Sequence, residues 1–175
     1  MYTPSLETKH MILRPLQVAD ADEVYNIQNS DPEAARYYTW VKHRNKVELI
    51  EWLQRENIIV TSNLSYHFGF EDKLTRKLIG VGGIQYDENK DEYVMGYYML
   101  KYFFRQGFIF EATRMMAEFA VARAGVKRLV SLHSKQNYIL DDVMLKSGFT
   151  YDSDVDYVSP DGIRSFVCKK FVFTN

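Results

Sequence analysis

The chain has 175 residues, of which 46% are hydrophobic and 26% charged, and this predicts one globular domain that spans residues 1–175. Its 22 basic and 23 acidic residues leave a net charge of −1, so we expect no broad basic surface and no nucleic-acid partner. The polar N-terminus has no signal core and no apolar run approaches the length of a membrane span, so we expect no membrane partner and a cytoplasmic location by default.

The first third of the chain predicts one strand followed by helices. Residues 10–16 have the pattern of a strand, and residues 18–30 have the spacing of a helix. Asp31-Pro32 breaks that helix, and a second short helical piece ends near Trp40. Residues 45–58 form a clearer amphipathic helix.

The middle of the chain predicts an antiparallel meander. Residues 65–72 alternate between apolar and polar side chains and end in a charged turn. Residues 77–87 form the next strand, whose three glycines permit a close approach of the backbone or a bulge. The charged tract 88–92 is a hairpin turn, and residues 93–100 are the partner strand.

The second half of the chain alternates strands with helices. Residues 108–124 have helical spacing throughout, and Gly125 supplies a C-cap. This helix connects the strand at 93–100 to a strand at 127–133, and such a crossover is expected to be parallel and right-handed. The remaining elements are a helix at 137–147 with Asn137 as its N-cap and strands at 149–154 and 163–173. We therefore predict an α+β fold, with a mixed, mostly antiparallel central sheet and helices on both faces.

The stretch Gly96–Ala112 joins a buried strand to the long helix through the turn Arg105-Gln106-Gly107. The first N–H groups of a helix have no partner within it, and the helix dipole adds positive potential there, so such a turn can hold an anion. Gly107 also fits an ordinary strand-to-helix connection. One glycine does not decide between these two interpretations.

Three blocks of sequence carry a resemblance to a known family. They are LETKHMILRPLQVADADEVYNIQNSDPEAARYYTW (6–40), EYVMGYYMLKYFFRQGFIFEA (92–112) and NYILDDVMLKSGF (137–149). Together with their spacing, they resemble the GNAT superfamily of N-acetyltransferases, and most closely the branch that acetylates the N-termini of ribosomal proteins. The resemblance implies an acyl-CoA N-acyltransferase fold and acetyl-CoA as co-substrate. It also implies transfer of the acetyl group, by direct attack, to a primary amine of a peptide, protein or small molecule.

The resemblance also implies which residues hold the cofactor. In this family, main-chain N–H groups of the turn before the long helix surround the CoA pyrophosphate, and here Gly107 matches that turn. Ile109 and Phe110 either crowd this site or point into the core. A main-chain N–H near Met99 is expected to polarise the thioester carbonyl, where the strand that ends there diverges from strand 127–133. The implied cofactor-binding residues are Met99, Leu100, Arg105, Gln106, Gly107, Phe108, Ile109 and Asn137.

The resemblance identifies the general base and the proton donor less clearly than it identifies the cofactor-binding residues. The late-helix positions at which relatives carry a hydroxyl donor are Leu140 and Met144 here. Three candidates remain for catalysis. His133 has a suitable intrinsic pKa but is also typical of a structural histidine. Glu92 stands at a strand start, where solvated carboxylates are common, and Tyr138 is also typical of an exposed tyrosine near a cap.

The sequence does not identify the amine acceptor or the oligomeric state. Tyr37, Tyr38 and Trp40 are expected to border the acceptor pocket, although an aromatic cluster between helices also suits a core. A homodimer is compatible with the composition. Cys168 is the only cysteine, so no intrachain disulfide and no multi-cysteine metal site are expected, and we expect no bound metal. Of the family's turn positions, which are Phe104, Gly107 and Ile109 here, only Gly107 matches, and the hydroxyl donors of the late helix are missing. These departures also fit an alternative function, a degenerate GNAT-fold binding or assembly module.

Overall fold

The computed structural model describes residues 2–40, 42–59, 64–104 and 106–174. Its centre is an eight-stranded sheet with the order β1-β2-β3-β4-β5-β6-β8-β7. The strands are β1 Leu6–Glu7, β2 Met11–Pro15, β3 Ser65–Asp72, β4 Leu78–Asp87, β5 Glu92–Met99, β6 Arg128–Ser134, β7 Thr150–Val158 and β8 Ser165–Thr174. Within the described residues, β5 and β6 form the one parallel pair and all other neighbouring strands are antiparallel.

Among the described residues, five helices cover the two faces of this sheet. They are α1 Ala21–Asn29, α2 Lys46–Ile59, α3 Lys101–Phe104, α4 Phe108–Ala122 and α5 Ile139–Lys146, and two 3-10 turns lie at Val18–Asp20 and Ala34–Tyr37. Side chains of α4 and α5 share one buried cluster with the sheet, and side chains of α1 and α2 share another. The predicted α+β architecture with helices on both faces is therefore confirmed.

The two clusters follow from the period-two alternation of the strands. In β5, Met95 and Met99 point to the α4–α5 face, whereas Tyr98 points to the α1–α2 face. Both sides of this central strand are covered, so its sequence is a continuous apolar run rather than an alternating one. Burial on both faces fixes the register of β5, and that register positions the candidate site.

Several predicted boundaries change in the structure. The predicted strand 10–16 is β2, Met11–Pro15, and the structure adds β1, which pairs with it as a short hairpin. The turn after β5 contains an additional helical turn, α3, which begins at once because Phe103 N–H donates to the Leu100 carbonyl at 2.9 Å. The helix predicted at 137–147 begins at Ile139, with Tyr138 at the N-cap position, so the prediction of Asn137 as N-cap is corrected by one residue. No helix in the described ranges is long and apolar enough to cross a bilayer.

Candidate functional site

The central feature of the site is the point at which β5 and β6 separate. The two strands pair from Tyr93 to Met95 on β5, opposite Leu129 to Ser131 on β6, and the pairing then ends. We call the space between the rest of β5 (96–99) and the rest of β6 (132–134) the β5–β6 gap. The predicted divergence of these strands is confirmed.

Strand alternation determines which main-chain groups face the β5–β6 gap. Leu100 N–H donates to the Ile79 carbonyl at 2.9 Å, so Leu100 directs its main-chain groups toward β4. Successive residues of a strand direct their N–H and C=O groups to opposite sides. Tyr97 and Met99 therefore direct theirs toward the gap, whereas the N–H of Leu100 is already used by β4.

A narrow cleft of about 50 Å³ opens at the β5–β6 gap. Its walls come from the segment before α2, from both separated strands, from α3 and from the start of α5. The lining residues are 37–40, Gly96, Tyr97, Phe104, 131–133, Asn137 and Leu140. A volume of this size admits only a few water molecules. The cleft therefore joins the two faces of the sheet through a small opening.

Thr39 and Trp40 close the α1–α2 side of this opening. Thr39 Oγ1 donates to the Leu132 carbonyl at 2.8 Å, which occupies an acceptor that a continued β5–β6 ladder would have used. Tyr98 Oη donates to the Trp40 carbonyl at 2.5 Å. The Trp40 indole lies directly on Gly96, where a Cβ would stand 2.7 Å from the indole Cδ2. The absence of a side chain at Gly96 thus makes room for the indole.

The N-terminus of α4 presents main-chain N–H groups beyond α3. Gly107 occupies the N-cap position with φ of +85°, and no side chain caps the helix. Ile109 is 2% exposed and belongs to the apolar core, so its bulk points away from the turn. Phe108 packs on Phe103 with ring centroids 5.2 Å apart and is also buried. The first N–H groups of α4 therefore remain suited to an anion.

The acidic residue in the first turn of α4 is held away from that anion position. Glu111 accepts hydrogen bonds from His10, through Nδ1 at 2.5 Å and the main-chain N–H at 3.1 Å. Burial raises the pKa of Glu111, but the hydrogen bonds from Thr8 and His10 outweigh it and hold the pKa below its ordinary value. The negative charge of Glu111 is thus satisfied by the β1–β2 turn.

Most of the other residues expected to bind the cofactor do not line the cleft. Met99 is buried on the α4–α5 face, and Leu100 is half-buried on the opposite face. The Gln106 side chain donates to the Tyr102 carbonyl at 2.9 Å, which directs its amide to α3. Arg105 lies outside the described residues. Of this set, Asn137 alone lines the cleft.

His133 is the one candidate catalytic side chain that lies in the cleft wall. It is 4% exposed, its ring stacks on Phe171 with centroids 5.1 Å apart, and its Nε2 lies 2.8 Å from Asp141 Oδ1. Burial lowers the pKa of His133, and Asp141 opposes that shift. The imidazole is therefore held neutral at pH 7 and is suited to accept a proton.

Glu92 lies at the start of β5, outside the cleft. It precedes Gly96, the first residue of β5 in the cleft wall, by four positions, or roughly 13 Å at the usual rise of a strand. Its carboxylate is 10% exposed and pairs with Lys170 at 2.8 Å. Glu92 thus joins β5 to β8, and the structure does not bring it to His133.

The start of α5 contributes the rim of the cleft rather than a proton donor. Tyr138 is 71% exposed and stands at the N-cap of α5. Leu140 is buried at the cleft, and Met144 is fully buried one turn further along. The two helix positions that the resemblance associates with hydroxyl donors therefore present hydrocarbon.

The aromatic residues expected at the acceptor pocket do line the cleft. Tyr38 packs edge-on against Tyr98 with centroids 4.5 Å apart, and burial raises its pKa to about 12. Arg164 of the β7–β8 connection holds this segment by donating to the carbonyls of Ala35 and Tyr38, each at 2.9 Å. Tyr37, Tyr38 and Trp40 therefore form one wall, which the last hairpin fixes in place.

Cys168 is expected to be chemically inert in the folded protein. It is fully buried in β8, and burial raises the pKa of its thiol to about 11. Since the thiolate is the reactive form, we expect Ellman's reagent to label less than a tenth of the chain in native buffer and one thiol per chain in 6 M guanidinium. Rapid labelling of native protein would contradict this. Among the described residues, no cluster of His, Cys, Asp and Glu could hold a metal ion.

Sequence reasoning missed the contact of Thr39 with β6 and the pairing of His133 with Asp141. Thr39 contacts a strand 93 positions away, and no local pattern indicates such a bond. Asp141 follows His133 by eight residues, across a turn and the start of a helix, which is close enough to have suggested a pair. The other features of the site are the main-chain groups that face the β5–β6 gap, which suit a developing oxyanion, and the free N–H groups of α4, which suit an anion.

Comparisons with known proteins bear on the family and the fold of the chain. Residues 10–150 match the family described as Acetyltransferase (GNAT) domain. The chain is 25% identical to an uncharacterised N-acetyltransferase, YoaA of Bacillus subtilis, over 147 residues, which cover 83% of this chain and 82% of YoaA. It is similar in structure to the ribosomal-protein-S5-alanine acetyltransferase of Vibrio fischeri (TM-score 0.83, 16% identity, 98% and 97% of the two chains). It is also similar to Mycobacterium smegmatis RimJ in complex with CoA-disulfide (TM-score 0.82, 13% identity, 99% and 90%).

Proposed function

Because the chain belongs to the GNAT acetyltransferase family, whose enzymes use acetyl-CoA, we propose that it transfers the acetyl group of acetyl-CoA to a primary amine. The amine attacks the thioester directly. An N–C bond forms, the C–S bond breaks, and the amine proton ends on the CoA sulfur. No covalent acyl-enzyme is required, which suits a chain whose one thiol is fully buried.

One observation carries this proposal, namely the β5–β6 gap with the main-chain groups of Tyr97 and Met99 facing it. An N–H fixed in a sheet is a preorganised donor for the oxyanion that develops on the thioester carbonyl. A main-chain donor requires no particular side chain. The departures from the family pattern in the turn before α4 and in α5 therefore leave this donor intact. Met99 and Tyr97 are the proposed oxyanion donors.

The carrier is proposed to extend from the β5–β6 gap to the N-terminus of α4. Main-chain N–H groups of Gly107, Phe108 and Ile109 then bind the pyrophosphate, since the side chain of Ile109 is buried in the core. Asn137 is proposed to contact the pantetheine arm, since it lines the cleft on the same side. The acceptor enters from the opposite face, past Tyr37, Tyr38 and Trp40.

A second candidate function is a GNAT-fold binding or assembly module without turnover. It is favoured by Leu140 and Met144, whose buried hydrocarbon stands where relatives carry a proton donor. This alternative predicts weak or absent CoA binding and no amine-dependent release of thiol. Release of CoA thiol with any primary amine rejects it.

The cofactor site is tested by comparing Gly107→Ala with Gly125→Ala. Both glycines have positive φ, +85° and +71°, and both flank α4, so both variants incur the same kind of backbone strain, about 1–2 kcal/mol. Only Gly107 lies at the proposed pyrophosphate site. We expect calorimetric titration with acetyl-CoA to give at least a 10-fold weaker Kd for Gly107→Ala and an unchanged Kd for Gly125→Ala. Equal weakening in both variants would contradict the assignment, and no binding of the wild-type chain at millimolar acetyl-CoA would remove the enzyme function itself.

A further inference from the structure

His133 holds a polar atom that nothing in the described part of the chain satisfies. Its Nδ1 is fully buried and has no hydrogen-bond partner there. Leaving a buried polar atom unpaired costs folding free energy, so each such atom calls for an explanation, of which a catalytic role is one. His133 also lines the cleft at the β5–β6 gap. The unpaired atom therefore belongs to a residue of the cleft wall, beside the proposed thioester position.

The other ring nitrogen of His133 is held by a charged pair. Asp141 of α5 accepts from Nε2 through Oδ1, at 2.8 Å, and its Oδ2 is bound by Lys169 of β8. Burial raises the pKa of Asp141, but the hydrogen bonds from Lys169 and His133 outweigh it and hold the pKa below its ordinary value. An ionised carboxylate on Nε2 fixes the proton of the neutral imidazole there. Nδ1 is then left as the acceptor.

The imidazole lies on the same side of the sheet as the proposed sulfur. Phe171, on which it stacks, belongs to the buried cluster of the α4–α5 face, and Asp141 lies on α5 itself. The carrier is proposed to extend toward this face. Leu140 and Met144 of α5 supply no proton donor on that side. We propose that His133 Nδ1 accepts the proton of the attacking amine and delivers it to the departing CoA sulfur, with Asp141 as its positioning residue. This inference rests on the proposed acetyl transfer.

The proton and the electrons balance in this step. The amine nitrogen bonds to the carbonyl carbon, and the carbonyl electron pair moves to oxygen. Nδ1 then takes a proton from that nitrogen, which makes an imidazolium stabilised by Asp141. When the intermediate collapses, the C–S bond breaks with its electron pair on sulfur, and Nδ1–H protonates that sulfur. The products are the amide and the free thiol of CoA, and His133 returns to its neutral form.

The pH dependence follows from the groups that face His133. These are Asp141 from α5 and Lys169 from β8, while Phe171 presents an uncharged ring. Burial lowers the pKa of His133 below its usual value, so Nδ1 is free at pH 7 and the rate falls as the pH is lowered through that pKa. Asp141 raises the pKa of His133, so removing its charge moves the acid limb of the rate profile to lower pH.

The first arm of the test needs only CoA. In protein labelled with ¹⁵N-histidine, we expect the NMR spectrum of His133 at pH 7.5 to show a protonated Nε2 and an unprotonated Nδ1. Saturating CoA should shift the Nδ1 resonance of His133. Asp141→Asn should disturb the tautomer, and Asp142→Asn should not, because Asp142 is 80% exposed on the same helix and pairs only loosely with Lys146, at 4.0 Å. A protonated Nδ1, or no shift with CoA bound, would overturn the inference.

The second arm measures release of CoA thiol with acetyl-CoA and three acceptors, namely an alanine-starting tetrapeptide amide, lysine and benzylamine. With the acceptor that turns over, His133→Ala should lower kcat by about 100-fold or more, leave KM for acetyl-CoA within about threefold, lose the acid limb and be partly rescued by added imidazole. Asp141→Asn should lower kcat and shift the acid limb downward, and Asp142→Asn should do neither. If His133→Ala fails to fold, His133→Gln and Asp141→Asn decide the question.

The two proposals fail in different ways. If the wild-type chain turns over an amine but His133→Ala keeps its kcat and its acid limb, the inference about His133 is wrong and the acetyltransferase function stands. If the wild-type chain binds acetyl-CoA and turns over none of the acceptors, the proposed function fails and the proton route fails with it.

Discussion

Arg14→Ala is expected to lower the free energy of unfolding by about 3–5 kcal/mol, because it leaves the buried carboxylate of Asp20 without its cation and that of Glu71 with Arg76 alone. Arg14 on β2 donates to both oxygens of Asp20 at 2.9 Å and to Glu71 of β3 at 2.7 Å. The two carboxylate side chains are only 9% and 8% exposed. The planar guanidinium thereby connects β2, β3 and the turn that leads into α1. Urea unfolding followed by circular dichroism measures the loss.

A matched control separates this effect from the loss of any arginine. Arg114 pairs with Glu118 at 2.7 Å on the surface of α4, where both side chains are at least half exposed. Arg114→Ala is therefore expected to cost at most about 0.5 kcal/mol. Arg14→Ala combined with Asp20→Asn and Glu71→Gln should be less destabilised than Arg14→Ala alone, since no unpaired charge then remains buried. Equal losses for the Arg14 and Arg114 variants would contradict the argument.

The sequence predicts the elements of this fold well where one local pattern dominates. The helix predicted at 108–124 is α4, Phe108–Ala122, because its apolar spacing is regular and Gly125 follows it. The parallel pairing of β5 with β6 is also confirmed, since a helix of that length between two strands leaves few alternatives. The divergence of the two strands came instead from the family resemblance, because hydrophobic alternation does not tell where pairing stops.

The candidate site depends on contacts that no local pattern contains. Glu92 is in phase with residues that could face the cleft, but it lies at the far end of β5. Its pairing with Lys170 depends on the register of β5 with β6 and of β6 with β8, which the local sequence does not contain. Ile109 could have crowded the turn or pointed inward, and the phase of α4 against the sheet decides that it points inward. In the sequence, nothing local separates His133 from the other histidines. Its contacts with Asp141 of α5 and Phe171 of β8 distinguish it, and these contacts form only when the chain is folded.

Gly96→Ala is expected to disable the cleft by displacing Trp40. The new Cβ would stand 2.7 Å from the indole Cδ2, too close for any side-chain contact, so the indole must move. That movement should break the Tyr98–Trp40 and Thr39–Leu132 hydrogen bonds. The cleft wall formed by residues 37–40 would then be displaced. We expect a stability loss of about 1–3 kcal/mol from overpacking and a roughly 100-fold loss of acetyl transfer from misplaced acceptor contacts.

Removing the indole tests whether Trp40 is the cause. In a Gly96→Ala/Trp40→Ala double variant the clash is gone, so the stability losses should be less than additive, with a coupling of about 0.5–3 kcal/mol in the stabilising direction. The chain has two tryptophans, so in a Trp52→Phe background the emission reports Trp40 alone and should shift to longer wavelength in Gly96→Ala. Additive losses, or unchanged emission, would show that Gly96 is needed for some reason other than the indole. If the coupling is found, the glycine in the middle of β5 is explained by the aromatic wall that it admits, and that wall limits the acceptors able to reach the thioester.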